Sequence, residues 1–167
     1  MLPGSCYYHP FVYIYTVSGK ATTINYFVNA QFFYCMYDFD HILLALDFTE
    51  LDNYLLKYTF EFARLASSDK IVLMHVVNRA VKLDEDVPDP EKQGATVTQR
   101  EIILRKMQQL VAQNTGEGQQ AEVVMRVKNG DPLTDILNVA RKQDADVVVV
   151  GRKTVAEGSG ELARKLV

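Results

Sequence analysis

Charge is almost missing from the first 35 residues of this chain, where Lys20 is the one formally charged side chain. Cysteine is scarce throughout, and the two present, Cys6 and Cys35, both lie in that lead. There is no C-x-x-C and no Cys/His metal spacing, which excludes a disulfide framework and the common zinc ligand sets and fits a reducing cytoplasm. No apolar run approaches the roughly 20 residues needed to cross a bilayer. Pro10, Ser18, Gly19, Lys20, Asn25, Asn29 and Gln31 interrupt every candidate. The lead also lacks a basic start and a small-x-small cleavage site after an apolar core, which argues against a secretory signal. A net charge of −3 without any basic block offers no general attraction to nucleic acid or to an anionic membrane. Catalytic signatures are absent as well. There is no G-x-S-x-G elbow and no Walker pattern, and Asp47-Phe48-Thr49 stands where a first-strand G-x-G-x-x-G would be. The chain therefore reads as a non-enzyme.

What is present starts with size. The 167 residues are 48% hydrophobic, enough for one domain with a real core. The lead is distinctive in another way, since residues 1–35 hold ten of the aromatics, among them Tyr7, Tyr13, Tyr15 and Phe33. Two readings of it stand. Phe11 to Val17 and Thr23 to Val28, separated by Ser18-Gly19-Lys20, have the composition of a β-hairpin. Alternatively the lead is a non-native extension and Met36 begins the working protein, and this second reading is the favoured one. The division is thus an aromatic-rich segment, 1–35, and a domain, 36–167.

From Met36 the pattern alternates. Asp40 to Asp47 predicts a first strand ending in an acid. Thr49 is a plausible N-cap for a helix carrying Leu51, Leu55, Tyr58, Phe62 and Leu65 at helical spacing. Lys70 to Val77 predicts a second strand, and the prolines and like charges of residues 83–91 predict a mobile loop. A helix over about 98–114 ends at Gly116 and Gly118. Residues 121–128 alternate, as a half-exposed or edge strand does. Asp131 and Pro132 form a cap and a first helical position for a third helix. Val147 to Val150 then form a strand with no alternation, which suits burial on both faces, and Gly151 ends it. The sum is an α/β chain with a doubly wound parallel sheet, right-handed crossovers and helices on both faces. Residues 161–167 predict the start of a fourth helix. The chain stops there, so the expectation is an incomplete domain whose sheet keeps an open edge. A phosphoreceiver domain shares the plan but needs an acid after its third strand, where Lys128 and Asn129 stand.

Ile42-Leu-Leu-Ala-Leu-Asp47, Val72-Leu-Met-His-Val-Val77, Gly130-Asp-Pro and Asp144-Ala-Asp-Val-Val-Val-Val-Gly151, in this order and each followed by its expected element, resemble the landmarks of the universal stress protein family. The resemblance covers residues 38–167. It implies an adenine-nucleotide alpha-hydrolase-like three-layer sandwich with strand order 3-2-1-4, the fifth strand missing here. It also implies a cytoplasmic stress-response role, a homodimer formed through the fifth strand where that is present, and ATP as ligand in some members only.

In ATP-binding relatives G-x-x-G, nine residues and G-[ST] follow the fourth strand. Here Gly151 is retained, Thr154 replaces the second glycine, and Arg164 and Lys165 stand where Gly and Ser are expected. Gly158-Ser159-Gly160 is a displaced substitute whose N–H groups suit an anion beside the following helix, although Glu161 already occupies that dipole end. Arg152 and Lys153 either neutralise phosphate or are solvated, and the second reading weighs more. Asp47 matches the acid that contacts the nucleoside, with an Asx-type cap as the even alternative. Val76 matches a residue lining the adenine pocket, though an apolar strand residue is more often core. His75 reads as a packed histidine. The candidate cofactor-binding set is therefore Asp47, Val76, Gly151, Gly158, Ser159 and Gly160. The broken glycine pattern favours an interaction module with a remodelled pocket, no bound cofactor and an unknown protein partner. An ATP-binding regulator is the alternative.

Overall fold

A computed structural model describes residues 12–16, 39–116 and 118–151. Strand β1 (Val12–Thr16) comes first, then β2 (His41–Leu46), helix α1 (Leu51–Ala66) and β3 (Lys70–Val77). Two short strands, β4 (Asp86–Pro88) and β5 (Thr96–Thr98), precede α2 (Gln99–Asn114) and β6 (Glu122–Asn129), and α3 (Pro132–Lys142) leads to β7 (Val147–Gly151). The main sheet has the order β1-β7-β2-β3-β6, and β4 pairs with β5 apart from it.

The four strands β2, β3, β6 and β7 run parallel, in the order 3-2-1-4 that the resemblance implies. Their side chains alternate between two cores, because successive Cβ atoms point to opposite faces. Ile42, Leu44, Ile71, Leu73, Val147 and Val149 pack with Leu55, Leu56 and Phe60 of α1 and Met107 of α2. Leu43, Val72, Met74, Val148 and Val150 pack with Ile136, Val139 and Ala140 of α3. The four valines are therefore all buried, as an unalternating run requires. Strand β6 lies at the edge with only Val127 fully buried, which explains its alternating sequence.

Local chemistry sets the helix ends. Thr98 and Glu101 exchange side-chain to backbone bonds in a capping box at α2. Asp131 accepts the Thr134 N–H at 2.9 Å ahead of Pro132. Helix α1 closes with Ser67 in the left-handed region at φ 56°, where Ser68 N–H donates to Ala63 O and Ser67 N–H to Arg64 O, a Schellman arrangement.

Three expectations are corrected. Thr49 does not cap α1: Glu50 holds that position without a side-chain bond, and the Thr49 hydroxyl donates instead to Asp47 Oδ1 at 2.6 Å. Residues 83–91 are not a free loop, because β4 pairs with β5 and Arg105 Nη1 donates to both oxygens of the buried Asp89 carboxylate at 2.9 and 3.0 Å. The sheet edge beside β7 is not open either. Strand β1 runs antiparallel along it, with Val12 opposite Gly151 and Thr16 opposite Val147. The expected hairpin partner, residues 23–28, lies outside the described residues, as do Arg152, Lys153, Thr154, Gly158 to Gly160 and the helix expected from 161.

Candidate functional site

In an open parallel sheet the ligand crevice lies beyond the carboxyl ends of the strands where the chain order reverses. Here that point falls between β2 and β7, so Asp47 after β2 and Gly151 at the end of β7 stand on its two sides. The β2–β3 register ends at Leu46 opposite His75, and Asp47 and Val76 each follow directly on that last pair. Val76 packs, with Ala45, against the core under α3. Three of the six predicted residues, Asp47, Val76 and Gly151, are thus brought to one end of the sheet. Gly158, Ser159 and Gly160 lie outside the described residues.

The chain itself uses Asp47. Its Oδ1 accepts both the Thr49 hydroxyl at 2.6 Å and the Thr49 N–H at 3.3 Å, an Asx-type turn ahead of the helix. The Asx-type cap weighed from the sequence does not form, since Glu50 is the N-cap and no side chain caps α1 there. Phe48, between them, sits at φ 59°, a conformation a bulky residue rarely adopts. Three contacts hold it there. Its N–H donates to Asp52 Oδ2 at 2.7 Å, its ring lies 4.3 Å from the His75 ring, and Lys106 Nζ stands 4.3 Å from its centroid in cation–π geometry.

Asp52 is the least expected member of this group. It lies one turn before Leu55 and Leu56 on the stripe that α1 buries, and only 1% of it is exposed. Burial pushes its carboxyl up to about 6, with the Asp47 carboxylate adding to the rise and the N–H groups of Phe48, Asp47 and Thr49 opposing it. His75 moves the other way. Burial lowers it below its ordinary value, Lys106 pushes in the same direction, and the Leu46 carbonyl and Asp47 pull back. Its Nδ1–H donates to Leu46 O at 2.8 Å, so this is a packed, hydrogen-bonded histidine, as read from the sequence.

Gly151 has a packing reason for being glycine. A Cβ there would stand 2.9 Å from Leu51 Cδ2 and from Leu55 Cδ1, so α1 approaches the end of β7 as closely as it does because the side chain is missing. Elsewhere, a shallow cavity of about 230 Å³ is lined by Pro90, Glu91, Ile102, Arg105, Lys106 and Gln109, none of them a predicted site residue. Among the described residues no group of three or more His, Cys, Asp or Glu is placed to hold a metal ion. Among the same residues no helix is long and apolar enough to cross a membrane.

Sequence reasoning missed Phe48, Asp52 and Lys106. Asp52 carried a readable signal, an acid inside an apolar helical stripe. The position of Lys106 over a ring far away in sequence carried none.

The sequence model of the universal stress protein family matches residues 38–166. Among solved structures the chain is similar to a protein of the universal stress protein family from Burkholderia pseudomallei, at 23% identity over 77% of this chain and 90% of that one, with a TM-score of 0.51. It is similar to a universal stress protein from Archaeoglobus fulgidus, at 20% identity over 75% and 84%, with a TM-score of 0.53. A universal stress protein in complex with cAMP is similar at 13% identity over 78% and 90%, with a TM-score of 0.53. At these identities the structural likeness is one of fold. No curated protein matches.

Proposed function

The chain belongs to the universal stress protein family, a family of stress-response domains, and from that premise we propose that it is a non-catalytic cytoplasmic interaction module whose crevice is organised around its own side chains. The carrying observation is the use of Asp47. The carboxylate expected to meet a nucleoside is engaged by the Thr49 hydroxyl and N–H. The next residue, Phe48, is pinned by Asp52, His75 and Lys106. A nucleoside would have to compete with the Thr49 hydroxyl for Oδ1 of that exposed carboxylate. The replacement of glycine by Thr154 in the phosphate loop supports the same reading. Such a domain acts by contact with a protein partner, with no resident cofactor and no metal.

The second reading, an adenine-nucleotide regulator, has one specific observation in its favour. Ala45, Val76 and Gly151 leave small side chains at the carboxyl end of the sheet, and one neighbour of the same fold is described in complex with cAMP. Titration calorimetry with ATP and with cAMP separates the two. The interaction-module reading predicts no saturable heat below about 1 mM ligand, which is binding weaker than about −4 kcal/mol. Saturable one-to-one binding in the micromolar range that is lost in Asp47→Ala would establish the second reading instead.

A further inference from the structure

The two edges of the sheet are built differently. On β6 the face away from α1 and α2 carries the exposed charges Glu122, Arg126 and Lys128, which discourage another strand from pairing there. Strand β7 is Val-Val-Val-Val-Gly, with no charge and four buried valines. Left bare, it would present unpaired N–H and C=O groups on a segment of high β-propensity, the combination that recruits further chains. Strand β1 covers it from end to end, five residues on five, from Val12 opposite Gly151 to Thr16 opposite Val147. No charged residue occurs in Val12-Tyr-Ile-Tyr-Thr16.

The connection makes pairing within one chain easy. Thr16 and Ile42 flank the same residue, Val147, from its two sides, so they lie about 10 Å apart, two strand spacings. The chain between them runs from residue 17 to residue 41, and about 25 residues reach several times that distance. Tethering sets an effective concentration of order millimolar. At micromolar protein, capture by the same chain outweighs capture by a second one.

We propose that the β7 edge is a strand-acceptor surface and that residues 12–16 are its built-in occupant, which keep a second copy of the chain from pairing there. Residues 12–16 of the aromatic lead thereby have a defined task, and association of two copies through the β7 edge does not occur while β1 is seated.

The test uses the full chain. In a background of Cys6→Ser and Cys35→Ser, Ile14→Cys and Val149→Cys put one cysteine on each of two facing residues. Mild oxidation at about 10 µM, a hundredfold below the tethered concentration, is expected to close a link within one chain, giving a faster-migrating monomer. A link found only between chains, or no link at all, overturns the proposal.

A second measurement does not depend on cysteine geometry. Neighbouring residues of a strand point their N–H groups to opposite sides, so Tyr13→Pro with Ile14→Pro removes at least one donor to β7 wherever the ladder starts. Light scattering after gel filtration should find the natural chain monomeric and the double variant associating, increasingly with concentration. A natural chain that is already dimeric, or a folded double variant that stays monomeric, contradicts the proposal.

Discussion

Asp52 is the residue on which the local chemistry turns. It is buried, its carboxylate takes the N–H of a strained Phe48, and burial together with Asp47 raises it from 3.8 to about 6. The folded state therefore binds a proton here that the unfolded chain has already released between about pH 4 and 6. Stability from this group is fully present below 3.8 and is lost as pH rises through 6. The loss is on the order of 3 kcal/mol when complete. Asp52→Asn keeps an acceptor for Phe48 and removes the proton. Urea unfolding at closely spaced pH should show the difference between natural chain and variant growing across that window and level above it. A constant difference would contradict the burial argument. His75 titrates nearby in the opposite sense but is common to both proteins and cancels. Much of this site was legible in the sequence. Asp47 at a strand end and Gly151 after four valines announced a crevice. The turn that ties Asp47 to Thr49 was not read, because an acid at that place suits a nucleoside and a helix cap equally well and nothing in the residue types points to Thr49 as its partner.

Elements followed local rules where the signals were local. The α2 capping box and the Asp131-Pro132 start are written in consecutive residues, and both form. The end of α1 is different, since Ser67 adopts a left-handed conformation that usually calls for glycine. Ser67→Gly should raise stability by about 1 kcal/mol by relieving Cβ crowding, and Thr98→Ala should lower it by a similar amount by leaving helix N–H groups unpaired. Thermal or urea unfolding of the two variants reads both, and a Ser67→Gly variant no more stable than the parent would mean that Ser67 carries no strain. The misread elements depended on side-chain partners that residue types do not announce, distant in one case and near in the other. Residues 83–91 were read as a loop because their prolines and charges are local facts, whereas Arg105, which holds Asp89, lies on the next helix. Thr49 failed as a cap because Asp47 competes for its hydroxyl.

At the scale of the fold, the described residues form a parallel α/β sheet with two helices on one face and one on the other, bordered along β7 by a strand from the lead. The alternation of strands and helices and the order 3-2-1-4 were readable because unalternating runs, alternating runs and helical stripes follow different periods. The antiparallel strand at the edge was not, since a β-prone segment does not announce which partner it will choose. At the carboxyl ends of this sheet the Asp47 turn and the Phe48 packing occupy the crevice side of β2, and the proposed interaction module holds no nucleotide there. The most direct test is mass spectrometry of the small molecules released when the full chain, purified from the cell, is denatured. An interaction module releases adenine nucleotide far below one per chain. ATP or another adenine nucleotide at one per chain, lost in Asp47→Ala, would contradict it.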